Sequence, residues 1–193
     1  TSPLLPFSKG KSTFNDMISV RENVMGGMAP AFNGDGWPRP PSVSLVEAGR
    51  FVGALVSSRS AREFDVPGTG AGGGESPEAL DVAPGDLAED GVLKAIGTGI
   101  RASDLWYLNY SDRAACRVTG MTRFATFWVE DGEIIAPLSV MRFDDSVPRM
   151  FGEGLIALGA DAPLALSMST YYERATGSVR APGALVEGLR LTL

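Results

Sequence analysis

The chain has 193 residues, 44% hydrophobic and 21% charged, with a net charge of −6, one cysteine and no histidine. Those proportions are ordinary for a globular protein, and 193 residues can bury a sizeable core. They exclude an internal disulfide, a zinc site built from the usual ligands within this chain, and any Ser-His-Asp or Cys-His pair. No stretch clusters Lys or Arg as a phosphate-backbone binder must. No apolar window approaches the ~20 residues of a membrane-spanning helix. A lone thiol suits a reducing compartment, so cytoplasmic residence is expected. The chain opens on Thr1 with no secretory signal, which reads as a processed end or a cut into a longer protein. An N-terminal threonine can also act as a nucleophile with its own amine as base. Pro3 and Pro6 disfavour the strand such a site would need.

In chain order, residues 1–41 read as an irregular Pro/Gly-rich lead-in, with a short strand centred on Ile18-Ser19-Val20. Asn33-Gly34-Asp35-Gly36 is a double turn signal without the spacing of a calcium loop. Ser42–Val46 and Arg50–Ser57 form a hairpin across Glu47-Ala48-Gly49. Its second strand is apolar on both faces and therefore reads as central. Ser60–Phe64 makes a helical turn. Gly68–Gly74, GTGAGGG, lacks the phosphate-loop pattern and reads as a flexible loop or a gate where another backbone approaches closely. Ser76–Pro84 is an extended linker with a short run at Leu80-Asp81-Val82. Asp86, with Glu89 three residues on, caps a helix over Leu87–Ile96.

A meander follows. Ile100–Tyr110 alternates and reads as a half-buried strand, and a second run extends through Cys116 to Glu130. Asp131-Gly132 signals a type I′ hairpin, and Glu133–Phe143 returns antiparallel. Asp144-Asp145-Ser146 supplies caps for a helix from Val147 to about Leu158. The aspartate pair is explained more simply by capping than by acid–base chemistry. Pro163–Ser169 is a strand, Tyr171–Gly177 turns, and Ala184–Leu193 closes the chain as one alternating strand. Roughly nine strands, two helices and a dominance of hairpins give an α+β, β-rich fold of antiparallel sheets, expected as a single domain over 1–193 with its core in 42–193.

Several segments, in this order, resemble the C-terminal half of the TldD/PmbA family, whose members are described as metallopeptidases and as modulators of DNA gyrase. Phe32-Asn33-Gly34-Asp35-Gly36 is similar to its Phe-Asp-Asp-Glu-Gly turn, and Ser58-Arg59-Ser60-Ala61 with the Gly-Thr-Gly loop to a Ser-Arg and Gly-rich passage. Pro84-Gly85-Asp86-Leu87, Leu105-Trp106-Tyr107, Thr119-Gly120-Met121-Thr122-Arg123 and Val129-Glu130-Asp131-Gly132-Glu133-Ile134 continue the match.

The resemblance implies zinc held by an upstream HExxxH helix, whose glutamate polarises water, and by a cysteine near the C-terminus. This chain lacks the histidine motif and reads Ala175-Thr176-Gly177 where that cysteine aligns. A hydroxyl is a poor zinc ligand beside a thiolate. The resemblance therefore places the chain in the non-zinc subunit of a heterodimer with a TldD-like zinc-carrying partner, or in a homodimer, acting on peptides. Zinc is expected only in a partner or an upstream segment. Gly70, Thr122, Arg123 and Thr176 are the candidates for the wall of a substrate chamber. Cys116 reads as a small core residue. Neither nucleic acid nor membrane is an expected partner. The alternatives are a binding or scaffold protein without chemistry and the Thr1 hydrolase.

Overall fold

The computed structural model describes residues 5–171 and 173–192; Thr1, Tyr172 and Leu193 lie outside them, and with Thr1 the nucleophile it could supply. In chain order the elements are α1 (Leu5–Ser8), β1 (Val20–Glu22), β2 (Val43–Glu47), β3 (Arg50–Phe51), α2 (Ser58–Phe64), β4 (Ala79–Val82) and α3 (Val92–Ile96). Then come β5 (Gly99–Asp112), β6 (Arg117–Glu130), β7 (Glu133–Pro137), β8 (Arg142–Ser146), α4 (Val147–Met150) and β9 (Leu155–Leu158). The last are β10 (Leu164–Leu166), β11 (Ser178–Arg180), β12 (Ala184–Val186) and β13 (Leu191–Thr192). Strands dominate, all but one strand pairing is antiparallel, and the helices are short, as the β-rich α+β reading requires. No helix among the described residues is long and apolar enough to cross a membrane. Two compact units result. One takes residues up to Asn15, Gly85–Asp161 and those from Gly183 on; the other takes Asp16–Pro84 and Ala162–Pro182.

The first unit is built on β6. β5 runs antiparallel along one side of it, from Gly99↔Val129 to Asp112↔Arg117. β8 and β7 share the other side, and β13 extends the sheet beyond β8. Asp131 and Gly132 both have positive φ, 51° and 81°, as an Asp-Gly type I′ turn demands. Val129, Phe143, Cys116 and Leu155 are buried in this unit. Phe7 of α1 is buried too and stacks on Phe14 at 4.1 Å.

Four expectations need correction here. The return strand over Glu133–Phe143 is two strands, β7 and β8: Leu138 N–H still donates to Thr126 O of β6, and residues 139–141 then depart from regular pairing before Arg142. The helix over Leu87–Ile96 shrinks to a 3₁₀ turn at Glu89–Gly91 followed by α3, and Asp86 does not cap it. Leu87 is committed elsewhere: its N–H donates to Leu158 O and its carbonyl accepts from Ala160 N, which holds the backbone extended. The helix expected to reach Leu158 stops at Met150; Ser146 does cap it, accepting from Arg149 N at 3.2 Å. Gly152 and Gly154 end the helical run, and Leu155–Leu158 pairs with β12 instead. The closing strand splits into β12 and β13 around Glu187-Gly188.

The second unit is a six-stranded sheet in the order β10-β11-β4-β1-β2-β3. Its one parallel pair joins β11 to β4. The lead-in is not irregular throughout, since β1 lies between β4 and β2 in the interior of this sheet. β4, read as a run within a linker, is likewise interior. β3, read as central, is a two-residue edge strand. Beyond it the chain peels away, and Val56 pairs with Thr69 rather than with a strand. The hairpin turn at Ala48-Gly49 and the helical turn α2 are as expected. Ser57 caps α2 and Asp65, in the left-handed region, stops it. Glu22 is buried on β1, and its carboxylate accepts from the N–H groups of Glu78 and Ala79, the partners a buried charge needs.

Candidate functional site

The first unit presents one edge that its own strands leave open. β5 is outermost in its sheet, so its outer N–H and C=O groups have no ladder partner among the described residues. Residues 105–110 read LWYLNY, with large apolar side chains in succession rather than in alternation. Such a run cannot hide on one face, and Trp106 is 47% exposed, Tyr107 74%. The ladder register shows why. β6 carries one extra residue near Phe124, and β5 carries one near Tyr107. Both are bulges on residues with positive φ, 60° at Phe124 and 52° at Tyr107. Bulky L-residues adopt that conformation at about 1–2 kcal/mol each, so two neighbouring cases mark a strained, outward-aimed aromatic cluster.

Thr122 and Arg123, adjacent on β6, divide the work at this place. Thr122 is 1% exposed. It donates its N–H to Met141 O at 2.9 Å and accepts from Met141 N through Oγ1 at 3.1 Å, which fastens β6 from within. Arg123 lays its guanidinium over the Trp106 ring at 4.0 Å and the Phe124 ring at 4.7 Å. Tyr107 meets Trp106 edge to face at 6.1 Å. Asp104 is the ladder partner of Arg123, yet the two form no ion pair.

Gly70 and Thr176 belong to the second unit. The Gly-rich segment is a tied strap rather than a flexible loop. Thr69 exchanges bonds with Val56, Asn33 Nδ2 donates to Ala71 O at 3.3 Å, and the Glu75 carboxylate accepts from Ser57 N at 2.8 Å. The Ser60 hydroxyl and the Ser57 backbone hold the Glu75 carboxyl below its ordinary range. Gly70 has φ 69°, and a Cβ there would lie 2.4 Å from Pro38 O, so the expected close approach of another backbone is present. Asn33 is a turn residue, accepting from Asp35 N and Trp37 N. Thr176 is exposed in the connection between β10 and β11. A half-open groove of about 640 Å³ lies on this unit. Three of its charged residues are paired within the protein: Asp81 accepts from Arg21 and Asn23, and Arg180 donates to Ala162 O and Gly26 O.

The donor set does not fit zinc. The sequence has no histidine, Thr176 offers only a hydroxyl, and burial pushes the Cys116 thiol up, away from the thiolate a metal needs. Among the described residues no three His, Cys, Asp or Glu side chains converge. Asp144 and Asp145 lie on β8 rather than in a cap. Bonds from Ser111 and Arg117 hold the Asp144 carboxyl below its ordinary value. Burial pushes Asp145 up, but the Arg149 and Ser146 N–H bonds and the charges of Arg149 and Arg117 outweigh it, so its pKa is also lowered. Both are ionised at neutral pH and engaged by arginines, which suits pairing and not proton donation.

The aromatic cluster is what the sequence reading missed, by taking Ile100–Tyr110 as half-buried. The signal was the unbroken apolar run itself, which on an edge strand means exposure.

Comparison with known proteins places these features in context. The PmbA/TldA metallopeptidase C-terminal domain family matches residues 1–193. A metalloprotease PmbA of Escherichia coli O157:H7 is 27% identical over 192 residues, covering 97% of this chain and 39% of its own length. TldE of Thermococcus kodakarensis superposes with a TM-score of 0.75 at 14% identity, over 93% of this chain and 40% of that one. A Thermotoga maritima protein, described provisionally as a modulator of a DNA gyrase, gives 0.74 at 21% identity, over 99% and 42%. At these identities the structures attest a shared fold. The chain spans about two fifths of the length of the curated relative it matches.

Proposed function

This chain belongs to the PmbA/TldA metallopeptidase C-terminal domain family, and we propose that it serves as the C-terminal domain of a TldD/PmbA-type peptidase assembly, in the subunit that does not carry the zinc. The match across residues 1–193 carries the reading. The donor set supports the choice of subunit. In this reading a TldD-like partner supplies the metal, and the assembly works on peptides in the cytoplasm.

The domain's part is to shape and line the chamber. An open strand edge binds extended polypeptide through main-chain hydrogen bonds, which tolerates many sequences and requires an unfolded substrate. β5 offers such an edge, with Arg123 as its charged group and Thr122 as the anchor of the strand behind it. Gly70 and Thr176 remain candidates for the wall on the second unit.

The test is cleavage of an unfolded peptide by the full-length protein, alone and co-expressed with a zinc-bearing partner. Activity should appear only with the partner. Cleavage by the protein alone contradicts the subunit assignment. A second reading, a binding protein without chemistry, is favoured by the same donor set and predicts peptide binding without cleavage in either preparation.

A further inference from the structure

We infer that Arg123, held against Trp106 and Phe124 at the end of the straight part of β5, receives the free C-terminal carboxylate of an unfolded peptide paired with residues 99–106. The inference rests on the peptide-binding reading above and adds the chemistry that would orient the peptide.

Three observations carry it. The first is the shape of the edge. On β5 the backbone is regular from Gly99 through Trp106, since the register shift at Ala102–Asp104 comes from the extra residue on β6. At Tyr107 the backbone turns into the left-handed region and the run ends. A strand added to this edge loses its regular pairing there. The second is what lies at that point. The Arg123 guanidinium carbon lies 4.0 Å from the ring centre of Trp106, the last residue of the run, and 4.7 Å from that of Phe124. Two rings against its carbon hold the guanidinium at this place, and its N–H fork has the geometry that grips a carboxylate with two parallel bonds. The third is that no ion pair or hydrogen bond among the described residues takes that fork. Asp104, the ladder partner, forms no ion pair with Arg123.

Charge complementarity then sets the direction. A strand added antiparallel to β5 would bring its terminal ammonium to Arg123, which repels it. A strand added parallel brings its carboxylate. Asp104 lies two residues back along β5, about 7 Å by strand geometry, and disfavours an acidic side chain placed farther up the peptide. A terminal carboxylate therefore fits better than an internal one.

The experiment uses the full-length protein and an apolar, unstructured eight-residue peptide, labelled at its N-terminus and followed by fluorescence anisotropy. Three versions are compared: free acid, C-terminal amide, and amide with one internal glutamate. The free acid should bind about tenfold tighter than the amide, the scale of one charge-assisted pair. Arg123→Gln should bind acid and amide alike, with an unchanged thermal midpoint showing that the sheet is intact. Trp106→Phe, which keeps a ring under the guanidinium, should retain most of the preference. Equal binding of acid and amide by the unaltered protein overturns the inference while leaving peptide binding standing. Binding of the internal-glutamate amide as tightly as the free acid overturns the terminal assignment. Failure of every version to bind overturns both the inference and the peptide reading.

Discussion

Gly120 sits where two side chains close over the backbone of β6. A Cβ there would lie 2.8 Å from Leu108 Cδ2 and 2.9 Å from Phe143 Cε1, and the Phe143 ring is buried and cannot yield freely. Gly120→Ala should destabilise the protein by about 1–3 kcal/mol, the usual range for overpacking, seen as a lower Tm. An unchanged Tm would contradict this, because the exposed Leu108 can swing aside but the Phe143 ring would also have to yield. Asp145 makes a different prediction. Its carboxyl accepts from Arg149 Nε at 2.8 and 2.9 Å and titrates below its ordinary value. Because the folded pKa is depressed, the pair's contribution is complete above the unfolded pKa of about 3.9 and disappears as pH falls through the folded pKa. Asp145→Asn should therefore have a lower urea midpoint than the unaltered protein at pH 7, and the gap should close on acidification. A gap independent of pH would assign the loss to packing. Neither residue's role was legible beforehand. A Thr-Gly dipeptide and an Asp-Asp pair are local signals, whereas what decides their roles, Phe143 for one and Arg149 for the other, lies across the sheet or in the next helix.

At the scale of elements, β5 and β6 carry strain where they are most exposed. Tyr107 has φ 52° and is largely solvent-facing, so Tyr107→Gly removes a backbone penalty and little burial. Its stability should stay level or rise by up to about 1 kcal/mol, while peptide binding at the edge weakens. Thermal melting and anisotropy on the same variant check both; a clear fall in Tm would show that the ring supports the fold. The elements that were readable have their instructions in adjacent residues. Asp131-Gly132 makes its own turn, Ser57 caps α2, and Ser146 caps α4. Those that were misread depend on distant partners. Leu87 looks helical until Leu158 and Ala160 claim its backbone. β11 has one apolar residue in three and becomes a strand through its parallel pairing with β4. Strand position within a sheet was also hidden: the run Arg50–Ser57 is apolar on both faces, yet only its first two residues form a strand, β3, and that strand lies at an edge.

For the molecule as a whole, the order of short motifs revealed more than periodicity could. Antiparallel hairpins could be counted along the chain, but not the division into two units assembled from interleaved segments. The motifs, each weak alone, pointed to the family that matches residues 1–193. The site was less legible for a chemical reason. A chain without histidine, with one buried cysteine and with Asp144 and Asp145 engaged by arginines, gives no metal-ligand or triad pattern to recognise. What it displays is an edge and an arginine set against two rings. In the function proposed above, this domain serves a peptidase whose zinc is held by another subunit. The most direct test is the zinc content of the full-length protein, measured alone and in complex with a co-purified partner. The expected result is substoichiometric zinc in the protein alone and about one zinc per heterodimer in the complex. Stoichiometric zinc in the protein purified alone would contradict it.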